Sequence, residues 1–450
     1  MLNVAVIADL REKLRGPLLT PDAPGYEATR KVFNGMVNKR PALIARCTSP
    51  SDVVACVNFA RDHGVLLSVR GGGHNFAGKA VCEGGLMLDF TLMKGITVDP
   101  TRRIARAQAG LILGEFDRET QKYGLATTLG VATTTGISGL TLGGGYGYLA
   151  GKYGLACDNL TRAEVVTADG KILECSADEN SDLFWGLRGA GANFGVVTEL
   201  EYKLFPISTV LGGVIFHPLS TDVLRFYDEY SRSAPDELTM IGGALTAPNG
   251  APGFATVVCY CGDQDEGEKV LEPLRTFGTP IADVIRQQPY LEMQSLFDPM
   301  NPPGRRYYNK AHNISKVGAG AIDSILHQMT TAPTPLSGIV LQQLHGAAGR
   351  VPVSDTAFPH RYDHHVMWIN PMSDDAADDA VMIEWGRESW EALKPYVDKA
   401  VYVNALEDIL EEGERPVREA YGANYERLRA LKRTYDPANL FRQNSNINPT

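Results

Sequence analysis

The sequence predicts an α+β fold, in which a glycine-rich ligand-binding half precedes a second domain with an antiparallel sheet covered by helices. Glycine is concentrated in residues 71–85, 124–154 and 186–195 and thins out after residue 210. Short helix and strand patterns alternate along both halves. The length of 450 residues is enough for two or three domains, each with its own core.

The first half reads as short α/β units. Ser49, Pro50 and Ser51 begin a helix that runs to about Asp62 and ends at His63 and Gly64. A second helix is predicted near residues 113–122. Strands are predicted at residues 66–69, 86–90, 104–108 and 194–204, and a hairpin joins residues 164–167 to 171–175 through Asp169 and Gly170.

The second half shows longer helical segments between strands. The helices are expected at residues 221–231, 264–277 and from a cap at Ser373 to about residue 393; the strands at 210–216, 255–261, 340–345 and 365–369. A last helix over residues 421–433 stops at Asp436 and Pro437. The polar segment 439–447 is expected to return to the first domain. The predicted domain limits are 1–207, 208–398 and 399–450.

Composition excludes several classes of protein. The formal net charge of −10 argues against nucleic acid as a main partner, since phosphate binding needs concentrated positive charge. The N-terminal apolar run is short and lacks a basic leader, and no stretch approaches the roughly 18 apolar residues that span a bilayer. We therefore expect a cytoplasmic protein without a membrane segment. The seven cysteines form no C-x-x-C pair and suggest neither a disulfide framework nor a zinc site.

The glycine clusters do not match the common phosphate-binding loops. The Walker pattern fails at Gly151-Lys152, where Tyr153 follows. A dinucleotide pattern is met at residues 145–150, but its flanks are not a strand and an amphipathic helix. Glycine-rich loops can still hold a diphosphate through main-chain N–H groups. The alternative is that the three clusters are ordinary turns.

Several motifs together resemble one family. They are SVRGGGHN at residues 68–75, GISGLTLGGGYG at 136–147, KYGLACDN at 152–159, FWGLRGAGANFG at 184–195, YVN at 402–404 and NLFRQNSNI at 439–447. This set is similar to the berberine-bridge-enzyme-like oxidases of the vanillyl-alcohol oxidase and p-cresol methylhydroxylase superfamily. The resemblance implies a two-part FAD-binding domain of the p-cresol methylhydroxylase type, a substrate domain and a C-terminal return.

The resemblance also implies which residues hold FAD. A ring nitrogen of His74 is expected to bond the flavin 8α-methyl carbon, and the sulfur of Cys157 to bond flavin C6. The alternatives are a loop or core histidine and a packed cysteine. The remaining residues expected to bind the cofactor are Arg70, Gly71, Gly72, Gly73, Asn75, Gly136, Gly139, Gly143, Gly147, Val197, Asn404 and Asn446.

Three residues are candidates for catalysis. Tyr402 matches the family's base by resemblance, although it could simply pack on a strand; an unperturbed tyrosine has a pKa of about 10. Gln343 and His345 lie two apart on a predicted strand, so that both side chains point to one face, which is expected to cover the flavin. His345 is either a second candidate base or a satisfied buried histidine.

The function implied is a FAD-dependent oxidase that transfers hydride from an alcohol or amine to flavin N5 and reduces O₂ to H₂O₂. The substrate is expected to be a bulky small molecule such as an oligosaccharide, a glycosylated metabolite or an alkaloid. A dehydrogenase with another electron acceptor and a flavin-binding protein without turnover are the alternatives. His360, Asp363, His364 and His365 are not expected to bind a metal. The protein is expected to be a monomer or a homodimer.

Overall fold

The computed structural model describes residues 3–247, 250–406 and 415–450. The first half carries seven described helices, α1 (Val4–Lys13), α2 (Tyr26–Thr29), α3 (Pro50–His63), α4 (Leu113–Thr120), α5 (Ile137–Leu142), α6 (Ala150–Tyr153) and α7 (Ser181–Leu187). Its strands are β1 (Leu18–Leu19), β2 (Leu43–Arg46), β3 (Leu67–Arg70), β4 (Leu86–Asp89), β5 (Ile96–Asp99), β6 (Ile104–Gln108), β7 (Leu125–Ala126), β8 (Leu160–Val166), β9 (Ile172–Ser176), β10 (Val196–Lys203) and β11 (Phe205–Pro206).

Two sheets organise this half. The first has the order β1-β2-β4-β3, and β2, β4 and β3 run parallel. The second has the order β5-β6-β10-β8-β9 and is antiparallel. The glycine-rich segment 71–73 follows β3 directly, so it leaves the carboxyl end of a parallel strand, where open α/β sheets present their ligand sites.

Helix α3 connects the parallel strands β2 and β3. Pro50 stands at its first turn, where a missing N–H costs nothing. Val53, Val57 and Ala60 recur at helical spacing and are buried against the sheet. Gly64 ends the helix at φ 64°, a left-handed conformation that glycine adopts without strain. The chain therefore turns sharply into β3 and the loop that follows.

The second half is built on one large sheet. The strands of this half are β12 (Thr209–Pro218), β13 (Leu238–Thr246), β14 (Pro252–Tyr260), β15 (Ala282–Asp283), β16 (Arg286–Pro289), β17 (Arg306–Tyr307), β18 (Lys310–Ile314), β19 (Gly338–Leu344), β20 (His364–Asn370) and β21 (Met372–Ser373). The short strands β17 and β21 pair with each other in a separate sheet. The order in the large sheet is β15-β12-β14-β13-β19-β20-β18, β16 also pairs with β12, and all of these ladders are antiparallel. The helices of this half are α8 (Thr221–Arg232), α9 (Gln264–Thr276), α10 (Tyr290–Gln294), α11 (Ala319–Thr330), α12 (Ala347–Arg350) and α13 (Asp379–Leu393).

The two faces of the large sheet have different neighbours. Leu341 of β19 and Met367 of β20 belong to one buried cluster with Leu224 of α8, Ile322 of α11 and Trp385 of α13. Successive strand residues point to opposite faces. The residues beside those two in sequence therefore point away from the helices, towards the glycine-rich half.

The C-terminal segment packs on the first half. It contains α14 (Arg415–Tyr421) and α15 (Tyr425–Tyr435), and Leu428 and Leu431 share a core cluster with Phe184 and Phe194. The fully buried amine of Lys432 donates to the Asp436 carboxylate at 2.7 Å and to two main-chain oxygens, those of residues 193 and 441, at 2.7 and 2.8 Å. Burial of this charge is compensated by these three bonds.

The predicted α+β class is confirmed, and most predicted elements differ from the observed ones by a few residues. The helix predicted at 421–433 begins only at Tyr425, because a 3₁₀ turn at Gly422–Asn424, in which Gly422 takes a positive φ of 45°, separates it from α14. The helix predicted to follow Ser373 begins only at Asp379, after a short 3₁₀ turn. Within the described ranges, no helix has the length and apolar content to cross a membrane.

Candidate active site

A cavity of about 730 Å³ lies between the glycine-rich half and the large sheet. One side, the loop wall, comes from parts of residues 71–76, 130–142, 190–193 and 443–445. The opposite side, the sheet wall, is made by the side chains of Phe216, Ile241, Leu245, Val340, Gln342, Trp368 and Asn370. Tyr402 and Asn404 also reach the cavity.

Main chain rather than side chains forms much of the loop wall. A Cβ atom on Gly72 would lie 2.3 Å from the main-chain nitrogen of Gly136, and the converse substitution meets the same obstacle. Gly73 has a φ of 71°, which other residues rarely adopt. Nothing lies within 4 Å of a Cβ placed on Gly139, which faces the cavity. The two loops therefore touch through their backbones and leave peptide groups open to a ligand.

His74 lines the cavity and is neutral at pH 7. Its ring stacks on Phe33 with centroids 3.7 Å apart, and its Nε2 lies 3.2 Å from the hydroxyl of Thr134. Burial lowers the pKa of His74 to about 4, an effect that a main-chain hydrogen bond only partly offsets. An unprotonated imidazole keeps a ring lone pair and can act as a nucleophile.

Tyr402 presents its hydroxyl oxygen to two donors. The N–H of Gly145 donates to it at 3.1 Å, and the side-chain amide of Asn404 donates at 2.8 Å. Asn404 is fixed by a second bond to the carbonyl of Leu140 at 3.0 Å. Gly143 leaves room for it, since a Cβ there would lie 2.1 Å from the Asn404 oxygen. Burial raises the pKa of Tyr402 to about 12, and the two donors act against that rise.

Tyr146 is a cavity residue that the sequence analysis did not single out. Its ring meets that of Tyr402 edge to face, with centroids 4.6 Å apart. Its hydroxyl donates to Nε2 of His364 at 3.1 Å, because Nδ1 of His364 donates to the Tyr362 carbonyl at 2.7 Å. Burial lowers the pKa of His364 to about 3, so this histidine is a neutral acceptor. Its position inside the motif at residues 136–147 was the available signal.

Cys157 is buried next to the cavity, in one cluster with Tyr146 and Tyr402, and is not among the residues that line it. Its thiol does not line the cavity; it lies 3.6 Å from a carboxylate oxygen of Asp158 and 3.9 Å from the guanidinium of Arg361. Its N–H donates to the carbonyl of Gly144, behind the loop that carries Tyr146. Burial, and then the nearby Asp158, raise the pKa of the thiol well above its ordinary value. The position of the thiol in this structure does not support its predicted bond to the flavin, which stays a prediction.

Gln343 and His345 are also misplaced by the sequence prediction. The Gln343 amide donates to the Ser231 carbonyl and accepts the N–H of Met240, so it points into the helix-covered face of the sheet. His345 packs beside Gly151, outside the cavity, and burial lowers its pKa. Gln343 lies on the face opposite to the predicted one, and His345 follows the last residue of β19, so the two do not share the face that was predicted. Gln342 is the residue that faces the cavity.

Four further predicted cofactor residues stand near the cavity without lining it. Arg70 pairs with the buried Asp89 at 2.8 Å and donates to the carbonyl of residue 31 at 2.8 Å, so it braces the loop from behind. Gly147 packs on the carbonyl of residue 129, and Gly143 on Asn404. Residues 443–445 line the cavity, whereas Asn446, which follows them, does not. The predicted residues that do line it are Gly71, Gly72, Gly73, His74, Asn75, Gly136, Gly139, Val197, Tyr402 and Asn404.

The cavity fits a dinucleotide cofactor with a flat ring. Its volume lies within the range of about 300–1,000 Å³ typical of ligand sites. Open peptide groups at Gly71–Gly73 and Gly136–Gly139 suit a diphosphate. The side-chain oxygen of Asn444, buried at the cavity edge, has no hydrogen-bond partner among the described residues. The described parts of the chain contain no group of three or more residues suited to a metal ion.

Comparison with known proteins gives two family matches. A profile described as FAD binding domain matches residues 41–176, and one described as berberine and berberine like matches residues 401–448. An FAD-linked oxidoreductase of Dictyostelium discoideum is 32% identical over 99% of this chain and 97% of its own length. The (R)-6-hydroxynicotine oxidase of Paenarthrobacter nicotinovorans is 34% identical over 97% of each chain.

Solved structures show the same architecture. The crystal structure of 6-hydroxy-D-nicotine oxidase from Arthrobacter nicotinovorans superposes with a TM-score of 0.89 at 32% identity and covers 100% of both chains. A chitooligosaccharide oxidase superposes with a TM-score of 0.86 at 27% identity, covering 99% of this chain and 100% of its own. Both similarities extend over the loop wall and the sheet wall.

Proposed function

Because the chain belongs to the berberine-bridge-enzyme-like family of FAD-dependent oxidases, we propose that it oxidises an alcohol or amine of a bulky small molecule at the expense of O₂. The substrate loses two protons and two electrons, and O₂ gains both and becomes H₂O₂. The bound FAD supplies the hydride acceptor at N5 and the route for both electrons to O₂. The observation that carries this proposal is that His74 and Tyr402 open into one cavity between the loops and the sheet.

FAD is held in this proposal by a single covalent bond, to a ring nitrogen of His74. Three observations support it: the ring lines the cavity, it is neutral above about pH 4, and Phe33 fixes its plane. The thiol of Cys157 does not line the cavity, and its raised pKa disfavours the thiolate, which is the nucleophilic form of cysteine. The peptide groups of Gly71–Gly73 and Gly136–Gly139 hold the diphosphate.

Tyr402 is the proposed proton acceptor. Its oxygen already accepts two N–H bonds, so its own O–H is directed elsewhere, and the two donors stabilise the phenolate relative to a bare buried phenol. Tyr146 stands edge-on beside it and is held by His364, which orients the second phenol at the same point of the cavity. His345 is not at the cavity and is not part of this mechanism.

The attachment is tested by the mass and visible spectrum of the denatured protein. Wild-type protein should keep the mass of about one FAD and its yellow colour. His74→Ala should lose both on denaturation, whereas Cys157→Ser, the matched control, should keep both. Retention of the flavin in His74→Ala, or its loss in Cys157→Ser, contradicts a single bond to His74.

The use of O₂ is tested without knowledge of the substrate. The enzyme is reduced anaerobically with dithionite and then mixed with air-saturated buffer or with an artificial quinone. Reoxidation by O₂ within seconds, with one H₂O₂ formed per flavin, supports the oxidase. Slow reoxidation by O₂ together with fast reoxidation by the quinone identifies a dehydrogenase on the same scaffold.

The proposal also divides the chain by role. Residues 1–207 and 399–450 hold FAD, and residues 208–398 supply the substrate side. The sheet wall comes entirely from the middle segment, and residues 443–445 return to the loop wall, which is consistent with this division. The chain is proposed to act as a monomer or homodimer.

A further inference from the structure

We infer that the substrate is an uncharged, flat, largely apolar aromatic molecule with one hydrogen-bonding edge, and not an oligosaccharide. This inference rests on the proposed function, because it concerns the substrate side of the same cavity. It follows from the register of the large sheet, the neighbours of Trp368 and the charges that line the cavity.

One row of residues crosses the sheet wall at right angles to the strands. Phe216 of β12 pairs with Ala255 of β14, which pairs with Gly243 of β13. Gly243 pairs in turn with Val340 of β19, and Val340 with Trp368 of β20. The row therefore has large rings at its ends and small or aliphatic residues between them. Such a surface matches the face of a planar apolar molecule.

The Trp368 end of this row adjoins Tyr402, the proposed proton acceptor. The rings of Trp368 and Tyr402 are nearly perpendicular, at 86°, with centroids 6.5 Å apart. The ring of Phe76 also meets the indole edge to face, with centroids 6.5 Å apart. A substrate whose reacting hydroxyl meets Tyr402 must therefore rest its body against Trp368.

The polar groups of the sheet wall are neutral amides. Gln342 lies two residues from Val340 on β19, and Asn370 lies two residues from Trp368 on β20, so both share the cavity face. The Asn370 oxygen is buried without a hydrogen-bond partner among the described residues. A side-chain amide offers a donor and an acceptor, which suits a single hydroxyl or ring carbonyl.

Charge separates this substrate from two other classes. Of the residues lining the cavity in the described ranges, two are cationic, Lys79 and Arg305, and none is a carboxylate. An ammonium group would therefore enter without a counterion, which is costly in a buried site. Arg305 is itself paired with Asp374. An oligosaccharide carries many hydroxyls, and an apolar row leaves most of them without partners.

Binding to the flavin-loaded enzyme tests the inference directly. The probes are 2-naphthalenemethanol, cellobiose and 2-naphthylmethylamine at a pH where the amine is protonated, and the readout is perturbation of the visible flavin spectrum. The neutral aromatic alcohol should bind at least about tenfold more tightly than either of the others. Tighter binding of cellobiose or of the ammonium, or no binding of the alcohol at its solubility limit, overturns the inference.

Two variants assign the effect to the sheet wall. Trp368→Ala should weaken binding of 2-naphthalenemethanol about tenfold without changing flavin content. Gln342→Glu adds a carboxylate and should reverse the preference, so that the protonated amine binds more tightly than the alcohol. Tyr396→Ala, which removes an exposed aromatic side chain elsewhere, is the control and should change neither. Unchanged affinities in both wall variants overturn the assignment to this surface.

Failure of this inference and failure of the proposed function give different results. If the inference alone fails, the reduced flavin is still reoxidised by O₂, but cellobiose or the ammonium is the preferred ligand. If the proposed function alone fails, the aromatic alcohol still perturbs the spectrum, but O₂ does not reoxidise the reduced flavin.

Discussion

The loop wall and the sheet wall enclose one cavity but are built in different ways. The loop wall presents peptide groups where Gly72 and Gly136 meet backbone to backbone. The sheet wall presents side chains, such as Val340 and Trp368, from strands that pair in strict register. Where two backbones touch, a side chain larger than that of glycine does not fit. Where side chains form the surface, one residue can be exchanged without moving the backbone. If the loop wall holds FAD as proposed, the cofactor site allows little variation in sequence, and substrate specificity can vary through the sheet wall.

The largest effect is expected from a single methyl group in the loop wall. Gly72→Ala places a Cβ 2.3 Å from the nitrogen of Gly136, so the loops must separate. Flavin bound per polypeptide should fall at least about tenfold, measured by absorbance after gel filtration. Gly318→Ala is the control, because a Cβ there meets nothing within 4 Å. Normal flavin content in Gly72→Ala would show that the loops are more pliable than proposed.

A smaller but still large effect is expected at the junction of the two walls. Tyr402→Phe removes the proton acceptor and should lower kcat by about 100-fold or more, with flavin content unchanged. Since burial places the pKa of Tyr402 at about 12, log kcat/KM of the wild type should rise with pH below that value. The slope should disappear in Tyr402→Phe.

The matched control for this prediction is Tyr153→Phe, which alters a phenol that does not line the cavity. It should keep the wild-type rate and the wild-type slope. If log kcat/KM rises with pH equally in the wild type and in Tyr402→Phe, Tyr402 is not the proton acceptor.

The sheet side should respond to acid through its buried histidines. Burial lowers the pKa of His312 and His360 to about 4 and of His364 and His365 to about 3, from 6.5. Below pH 6.5 these histidines bind protons in the unfolded chain but stay neutral in the folded chain. The free energy of unfolding therefore falls as the pH falls towards 4. Each histidine adds up to about 1.4 kcal/mol per pH unit to this loss.

The urea midpoint measured between pH 7 and pH 5 checks this dependence, and His365→Phe should flatten it. The range from pH 7 to pH 9 serves as the control, because these four histidines are neutral there in both states. A midpoint that is constant from pH 7 to pH 5 contradicts the buried neutral histidines.

The smallest expected effect separates two neighbouring glutamines on opposite faces of β19. Gln343→Ala breaks two buried hydrogen bonds and should cost about 1–3 kcal/mol of stability without a change in KM. Gln342→Ala should raise KM several-fold and leave the thermal midpoint unchanged, since its side chain faces the cavity. The two variants are each other's controls. If both affect only stability, Gln342 takes no part in the sheet wall.

The loop wall was predictable from the sequence because its signal is local. Gly71–Gly73 and His74 stand together in one motif, and close backbone contact needs glycine wherever it occurs. The sheet wall was not predictable to the same degree. Gln342 and Gln343 are the same residue type, and alternation alone separates two faces without saying which one the helices cover. Cys157 stands inside the motif at residues 152–159, but a sequence motif does not tell whether a thiol lines the cavity or packs beside it.

The buried Lys432 ties residues 193 and 441 together, and beside them residues 443–445 reach the cavity. During synthesis, the loops at 71–76 and 136–139 therefore leave the ribosome more than 300 residues before the segment that completes their site. If these loops and residues 443–445 together hold FAD as proposed, the site is complete only after that last stretch has emerged and docked. Bound flavin is consequently expected only in chains whose synthesis is complete. A chain truncated or tagged near residue 445 should fold but remain colourless.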